Sequence, residues 1–207
     1  MPLSPRGKKN ALHLIPKQLR KKTMSFVTAT VDTVWVFLLA AIYALMEIEM
    51  EGKHGWAKHL PTTKNILGHF TLYHVYMLLF LALLFSGWFG TRFVAGCSSG
   101  WTVVFHFAFY FLLWLLVEDF LWFVFNPHYT LDRYRKDVIP WHKIWVGDRV
   151  PAHNVGGLVV LALLAVGAAG NGELWLSLGI SGVMLLACVF VAPAYHKFYV
   201  RTHQPYM

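Results

Sequence analysis

Residues 101–125 read WTVVFHFAFYFLLWLLVEDFLWFVF. Apart from Thr102, His106, Glu118 and Asp119, every side chain in that run is apolar or aromatic. As a helix it would rise about 37 Å at 1.5 Å per residue, more than the roughly 30 Å hydrocarbon layer of a bilayer. Three further stretches have the same character. Ser25 to Met46 carries one charge, Asp32; Ile66 to Gly90 is interrupted by His69 and His74; Leu174 to Tyr195 carries no charge. A fifth, Val155 to Gly170, would rise only about 24 Å. Asn171-Gly172 after it suits a tight turn, so it reads as a short transmembrane helix in a hairpin rather than a re-entrant segment.

Composition agrees with this reading. Across 207 residues the apolar and aromatic types make up 57% and the charged types 14%, where soluble domains carry about 25% charged residues. Such a chain is not a disordered tail, a collagen-like fibre or a disulfide scaffold. The expected fold is an all-α integral membrane bundle of five transmembrane helices, the fourth short. The spans lie near residues 25–51, 65–90, 101–126, 154–170 and 173–200. Residues 25–200 form one domain, preceded by a basic segment at 1–24 and followed by a tail at 201–207. Asn126-Pro127 stops the third span, because proline lacks the amide donor and disfavours a helical residue before it. The connection from Asn126 to Asn154 contains Pro140-Trp141-His142 and Pro151, and is too long to lack structure of its own. Pro193 is expected to kink the last helix.

Seven of the first 22 residues are Lys or Arg, within a net charge of +8. No small-residue cleavage site follows, so the segment reads as the basic flank of a retained anchor, resting in the cytoplasm or on anionic lipid of a cell membrane. Nucleic-acid binding is not expected, since no aromatic-interleaved basic surface accompanies the charges.

Histidines number 11, against 10 Asp plus Glu. Five spans sort them unevenly. The membrane side shared by the C-terminal ends of spans one, three and five receives eight of the ten acids and nine of the eleven histidines; only Asp32, Glu173, His13 and His106 fall elsewhere. Acids inside spans cost about 2.5–3.5 kcal/mol or more at the bilayer centre, so they should face one another and their partners. Carboxylates and imidazoles from several facing helices are what iron, zinc, copper or manganese sites require, without distinguishing these metals. The expected ligands are Glu47, Glu51, His74, Glu118, His142 and His196, with His69, Asp119, Tyr73 and Asn126 as alternates or supporting groups. An acid–histidine network that only closes the bundle is the competing interpretation. On the opposite side, Asp32 and His106 on neighbouring spans are expected to pair, structurally or as a proton-uptake step.

Other signals are weaker. Trp56, Trp141, Trp145, Tyr129 and Tyr134 sit where interfacial aromatic belts occur, while Trp114, Trp122 and Phe125 could line a pocket beside Glu118. Cys97 and Cys188 form no Cys-x-x-Cys, and neither a phosphate-binding loop nor a nucleophile elbow occurs. Three functions fit: a metal-binding membrane oxidoreductase acting on a lipid-soluble substrate, a proton or metal-ion transporter or channel using the same residues, or a non-catalytic membrane subunit.

Overall fold

A computed structural model describes residues 17–55, 60, 70–95, 99–139, 141–168 and 172–203. The helices are α1 (Lys17–Glu51), α2 (Leu72–Val94), α3 (Gly100–Phe125), α4 (Ala152–Gly167) and α5 (Gly172–His203). Four of them are long and apolar enough to cross a membrane, and α4 is a shorter apolar helix. The all-α bundle expected from the spans is therefore present. α1 begins at Lys17, so the basic run Lys17–Lys22 belongs to the same helix as the first span. His69, Trp56 and Cys97 lie outside the described residues.

α3 has no polar stripe to turn outward, and a helix that is apolar all round belongs at the centre. It packs against α1, α2, α4 and α5. From His106 to Phe125 much of it is buried, including Tyr110, Trp114, Glu118 and Trp122. The outer helices instead expose large apolar side chains, such as Leu83 at 73% and Phe190 at 81%. A surface of that kind has no favourable contact with water, but is the ordinary lipid face of a membrane bundle. α4 closes on α3 through Gly157, whose missing side chain lets the Leu116 side chain come into contact. α5 continues through Pro193 to His203.

The connection between α3 and α4 is structured, as its length implies. Asn126 caps α3: its amide N–H bonds to the Trp122 carbonyl, its side-chain oxygen accepts from the His128 amide, and its Nδ2 donates to the Gly52 carbonyl at 2.8 Å. Asn126 is thus a structural clasp between α1 and α3. A 3₁₀ turn (Leu131–Arg133) follows, then a short antiparallel ribbon of β1 (Trp145–Val146) with β2 (Val150–Pro151). Gly147 turns this ribbon at φ +62°, a backbone region that disfavours residues with a Cβ.

The loop aromatics sharpen one expectation. Tyr129, Tyr134 and Trp141 pack onto Phe123 of α3, with Trp141 stacked at 17°. Trp145 in turn meets Tyr134. Burying these rings against α3 offers more apolar contact than a place at the interface, and it folds the loop over the end of the helix.

The opposite end of the bundle corrects another. Asp32 is only 1% exposed, but its partner is not His106. Arg92 of α2 grips it with both guanidinium ends, Nη1 donating to Oδ2 at 2.5 Å, and the Trp88 indole adds a bond to Oδ1 at 3.1 Å. His106 donates Nδ1–H to the Thr102 carbonyl at 2.7 Å and turns Nε2 towards Glu173, 3.7 Å away. A guanidinium supplies fixed charge and two parallel donors, which imidazole cannot match, so Arg92 captures the carboxylate.

Candidate metal centre and cavity

Tyr73 of α2 donates its hydroxyl to Glu47 Oε1 at 3.0 Å, and the Glu47 carboxyl group reaches that of Glu118. Around this junction lies a cavity of about 460 Å³. Its polar wall comes from Glu47 and Glu51 of α1, His74 of α2, Glu118 and Asp119 of α3, His142 of the loop and His153 of α4. The rest is apolar or aromatic, with Met77, Leu112, Leu115 and Leu116 towards the membrane and Trp122, Phe123 and Trp141 under the loop. Residues 118 and 119 stand 100° apart on one helix, and both reach this wall because the cavity wraps around that side of α3.

Asp119, His142 and His153 converge most closely. Their donor atoms all lie within 4.8 Å of one another. His153 Nε2 is 3.3 Å from Asp119 Oδ2, and His142 Nε2 is 4.0 Å from Asp119 Oδ1. The two imidazole centroids are 4.7 Å apart. Ligands bound tetrahedrally at about 2.0–2.2 Å from one ion would lie about 3.3–3.6 Å apart. The group is therefore within a small side-chain adjustment of a ligand shell. His142 Nε2 is buried and has no hydrogen-bond partner, so with the ring proton on Nδ1 its lone pair is open to a cation. Burial is the main reason the His142 imidazole titrates below its ordinary range, aided by the neighbouring His153 and opposed by Asp119. That keeps it in the neutral form that binds metals. Local structure explains the meeting: the β1–β2 ribbon reverses the chain so that β2 leads directly into α4, placing His153 in the first turn of α4 over Asp119.

The expected ligand set is redistributed. Glu47, Glu51, His74, Glu118 and His142 do share the cavity, while His196 does not line it. His196 donates Nε2–H to the Val124 carbonyl at 3.0 Å, which ties α5 to the end of α3 and commits that nitrogen. His74 lines the cavity but serves as the N3 residue of a capping box at the start of α2. Its Nδ1 accepts from the Thr71 amide at 3.2 Å, which occupies that nitrogen's lone pair. Tyr73 supports Glu47 as a hydrogen-bond donor. Of the three aromatics expected near Glu118, only Trp122 lines the cavity; Trp114 lies in the core and Phe125 packs on Tyr195. Asp119 is among the expected alternates, and His153 is one of the nine histidines that the spans assign to that side. The available signal was the proline before it: Pro151 marks a helix start that leaves His153 in the first turn of α4, beside the membrane end of α3.

The chain is thus a helical bundle of the membrane-spanning class that carries an Asp–His–His group able to hold a metal. Comparison with protein-family models, curated proteins and solved structures finds no match.

Proposed function

We propose that this chain is a membrane-embedded metalloprotein in which Asp119, His142 and His153 hold one metal ion beside a cavity for a lipid-soluble substrate, with oxidoreduction of that substrate as the reaction class. The observation carrying this reading is the convergence of three donor atoms from α3, the loop and α4 within 4.8 Å. One carboxylate and two imidazoles suit iron, zinc or manganese, and they lack the thiolate or thioether donors that favour Cu(I). Three protein ligands leave coordination positions open, as a reactive metal centre requires. When bound, the metal would supply Lewis acidity or electron transfer at the polar end of the cavity.

The chain's own groups do the rest. Met77, Leu112, Leu115 and Leu116 would accept an apolar body. Trp141, packed at the end of α3 against Trp122 and Phe123, shields that end from water. Transport is less well supported. Between the cavity and the Asp32–Arg92 pair lie Val36, Ala40, Phe85, Phe109 and Leu113, all 4% exposed or less, and a packed apolar layer obstructs ion passage.

Elemental analysis of detergent-purified protein, with electronic or electron-paramagnetic spectra, tests the reading. About one metal per chain is expected, lost in Asp119→Ala and in His153→Ala but kept in His196→Ala. A metal-free wild type that also fails to take up Fe(II), Zn(II) or Mn(II) at micromolar concentration would refute it.

A further inference from the structure

The cavity gathers more carboxyl groups than one metal ion needs. Besides Asp119, three glutamates line it, Glu47, Glu51 and Glu118. Glu118 is 9% exposed, and its Oε1 is buried without a hydrogen-bond partner. A buried carboxylate oxygen without a donor costs at least about 1–3 kcal/mol, so this end of the cavity is built to receive a group that donates hydrogen bonds or carries positive charge.

A second bare metal ion fits this place poorly. Among the described residues, Asp119, His142 and His153 are the one set of three His, Cys, Asp or Glu donors that closes to within 4.8 Å. The glutamates are spread more widely than one small ion's ligand shell. The volume of about 460 Å³ also belongs to the range of small-molecule pockets, roughly 300–1,000 Å³. The lining is divided to match an amphiphile, with carboxylates and the rings of Trp122 and Phe70 at one end and Met77, Leu112, Leu115 and Leu116 at the other. Aromatic faces beside carboxylates favour an organic cation, because ring quadrupoles and anions both attract it.

We propose that the cavity takes a lipid-soluble amine, its ammonium head among Glu47, Glu51 and Glu118 and its apolar body along the leucines. This rests on the reading of the cavity as the substrate site and names the substrate class. The amine's N–H groups supply the donors that Glu118 Oε1 lacks, and its charge offsets the carboxylates. A carboxylate or phosphate head group would be repelled.

Binding of octylamine, octanol and octanoate to the purified full chain in zwitterionic nanodiscs, followed by quenching of the cavity tryptophans at pH 7, is the test. Octylamine should bind at least about 10-fold more tightly than octanol, with octanoate weakest. Glu118→Gln should remove that preference while leaving octanol affinity and metal content unchanged, and Glu47→Gln should act in the same direction. Gly157→Val should weaken octylamine and octanol alike, since a Cβ at Gly157 would lie 2.7 Å from atoms of Leu116, which lines the cavity and would have to move. The preference for amine should survive chelation of the metal, which separates carboxylate recognition from ligation of the amine by the metal. Equal binding of octylamine and octanol, a preference kept in both glutamine variants, or a preference abolished by chelation would each overturn the proposal. Failure of the metal reading looks different: no bound metal, with amine selectivity intact.

Discussion

Replacing Arg92 by methionine should separate a structural ion pair from a proton-conducting one. Asp32 is 1% exposed, and among the described residues it receives, besides the guanidinium of Arg92, one hydrogen bond, from the Trp88 indole. Removing Arg92 therefore leaves a buried carboxylate with a single neutral donor, a loss of about 3–5 kcal/mol in comparable buried pairs. The guanidinium also lies 5.7 Å from the Trp88 ring centre and 5.5 Å from that of Phe89, contacts worth about 0.5–1 kcal/mol each at such sites. Methionine keeps most of the packing, so the charge dominates. Asp32→Leu combined with Arg92→Met should recover most of the loss, because the penalty arises from an uncompensated charge and not from the net worth of the pair. Equilibrium unfolding of the reconstituted protein would give all four corners of the double-mutant cycle, with a coupling of at least about 2 kcal/mol expected. Metal content should not change, since the cavity that Asp119 lines meets α1 at Glu47, about 22 Å from Asp32 at helical rise. A loss under about 1 kcal/mol for Arg92→Met, or additive single effects, would refute the reasoning.

Other consequences are equally direct. Asn126→Ala strands the Gly52 carbonyl and the His128 amide and should cost about 1–3 kcal/mol in the same unfolding assay. Gly55 has φ +59°, and a Cβ there would sit 3.2 Å from both Trp122 and Trp141; Gly55→Ala should destabilise by about 1–3 kcal/mol and shift tryptophan emission as the rings move. His128, in the loop, titrates below its ordinary range of 6.5, mainly through burial and then through Lys53, Arg133 and His54. The unfolded chain therefore takes up a proton near pH 6.5 that the native chain still refuses, so this group's contribution to stability falls as pH drops through 6.5 towards its native value. NMR titration of labelled histidines should find that lowered midpoint, and Arg133→Gln should raise it only in part, because burial remains.

Much of the architecture was legible because it depends on local properties. Length and apolarity decide whether a helix can cross the hydrocarbon layer, and the direction of successive spans decides which side receives each acid and histidine. Glu47, Glu51, Glu118 and His142 were thus placed on one side by chain direction alone, and they do meet around one cavity. His153 and His196 show where that reasoning stops. Both belong to the same side, but His196 is engaged by the Val124 carbonyl while the β1–β2 ribbon brings His153 to Asp119. Side membership constrains one coordinate, and ligation requires all three.

The same distinction applies to Asp32. Its need for a partner follows from a charge inside an apolar helix; the choice of Arg92 over His106 follows from how α2 sits against α1. By itself, the sequence determined the membrane-spanning helices, the structured loop after the third of them, and the gathering of acids and histidines at one end, all set by hydrophobicity and connectivity. Only the tertiary structure decided which of those groups approach to within ligand distance, which are spent on caps and clasps, and which carboxylate oxygen is left without a donor. Those outcomes depend on helix rotation and loop folding, which packing energies settle across many residues at once.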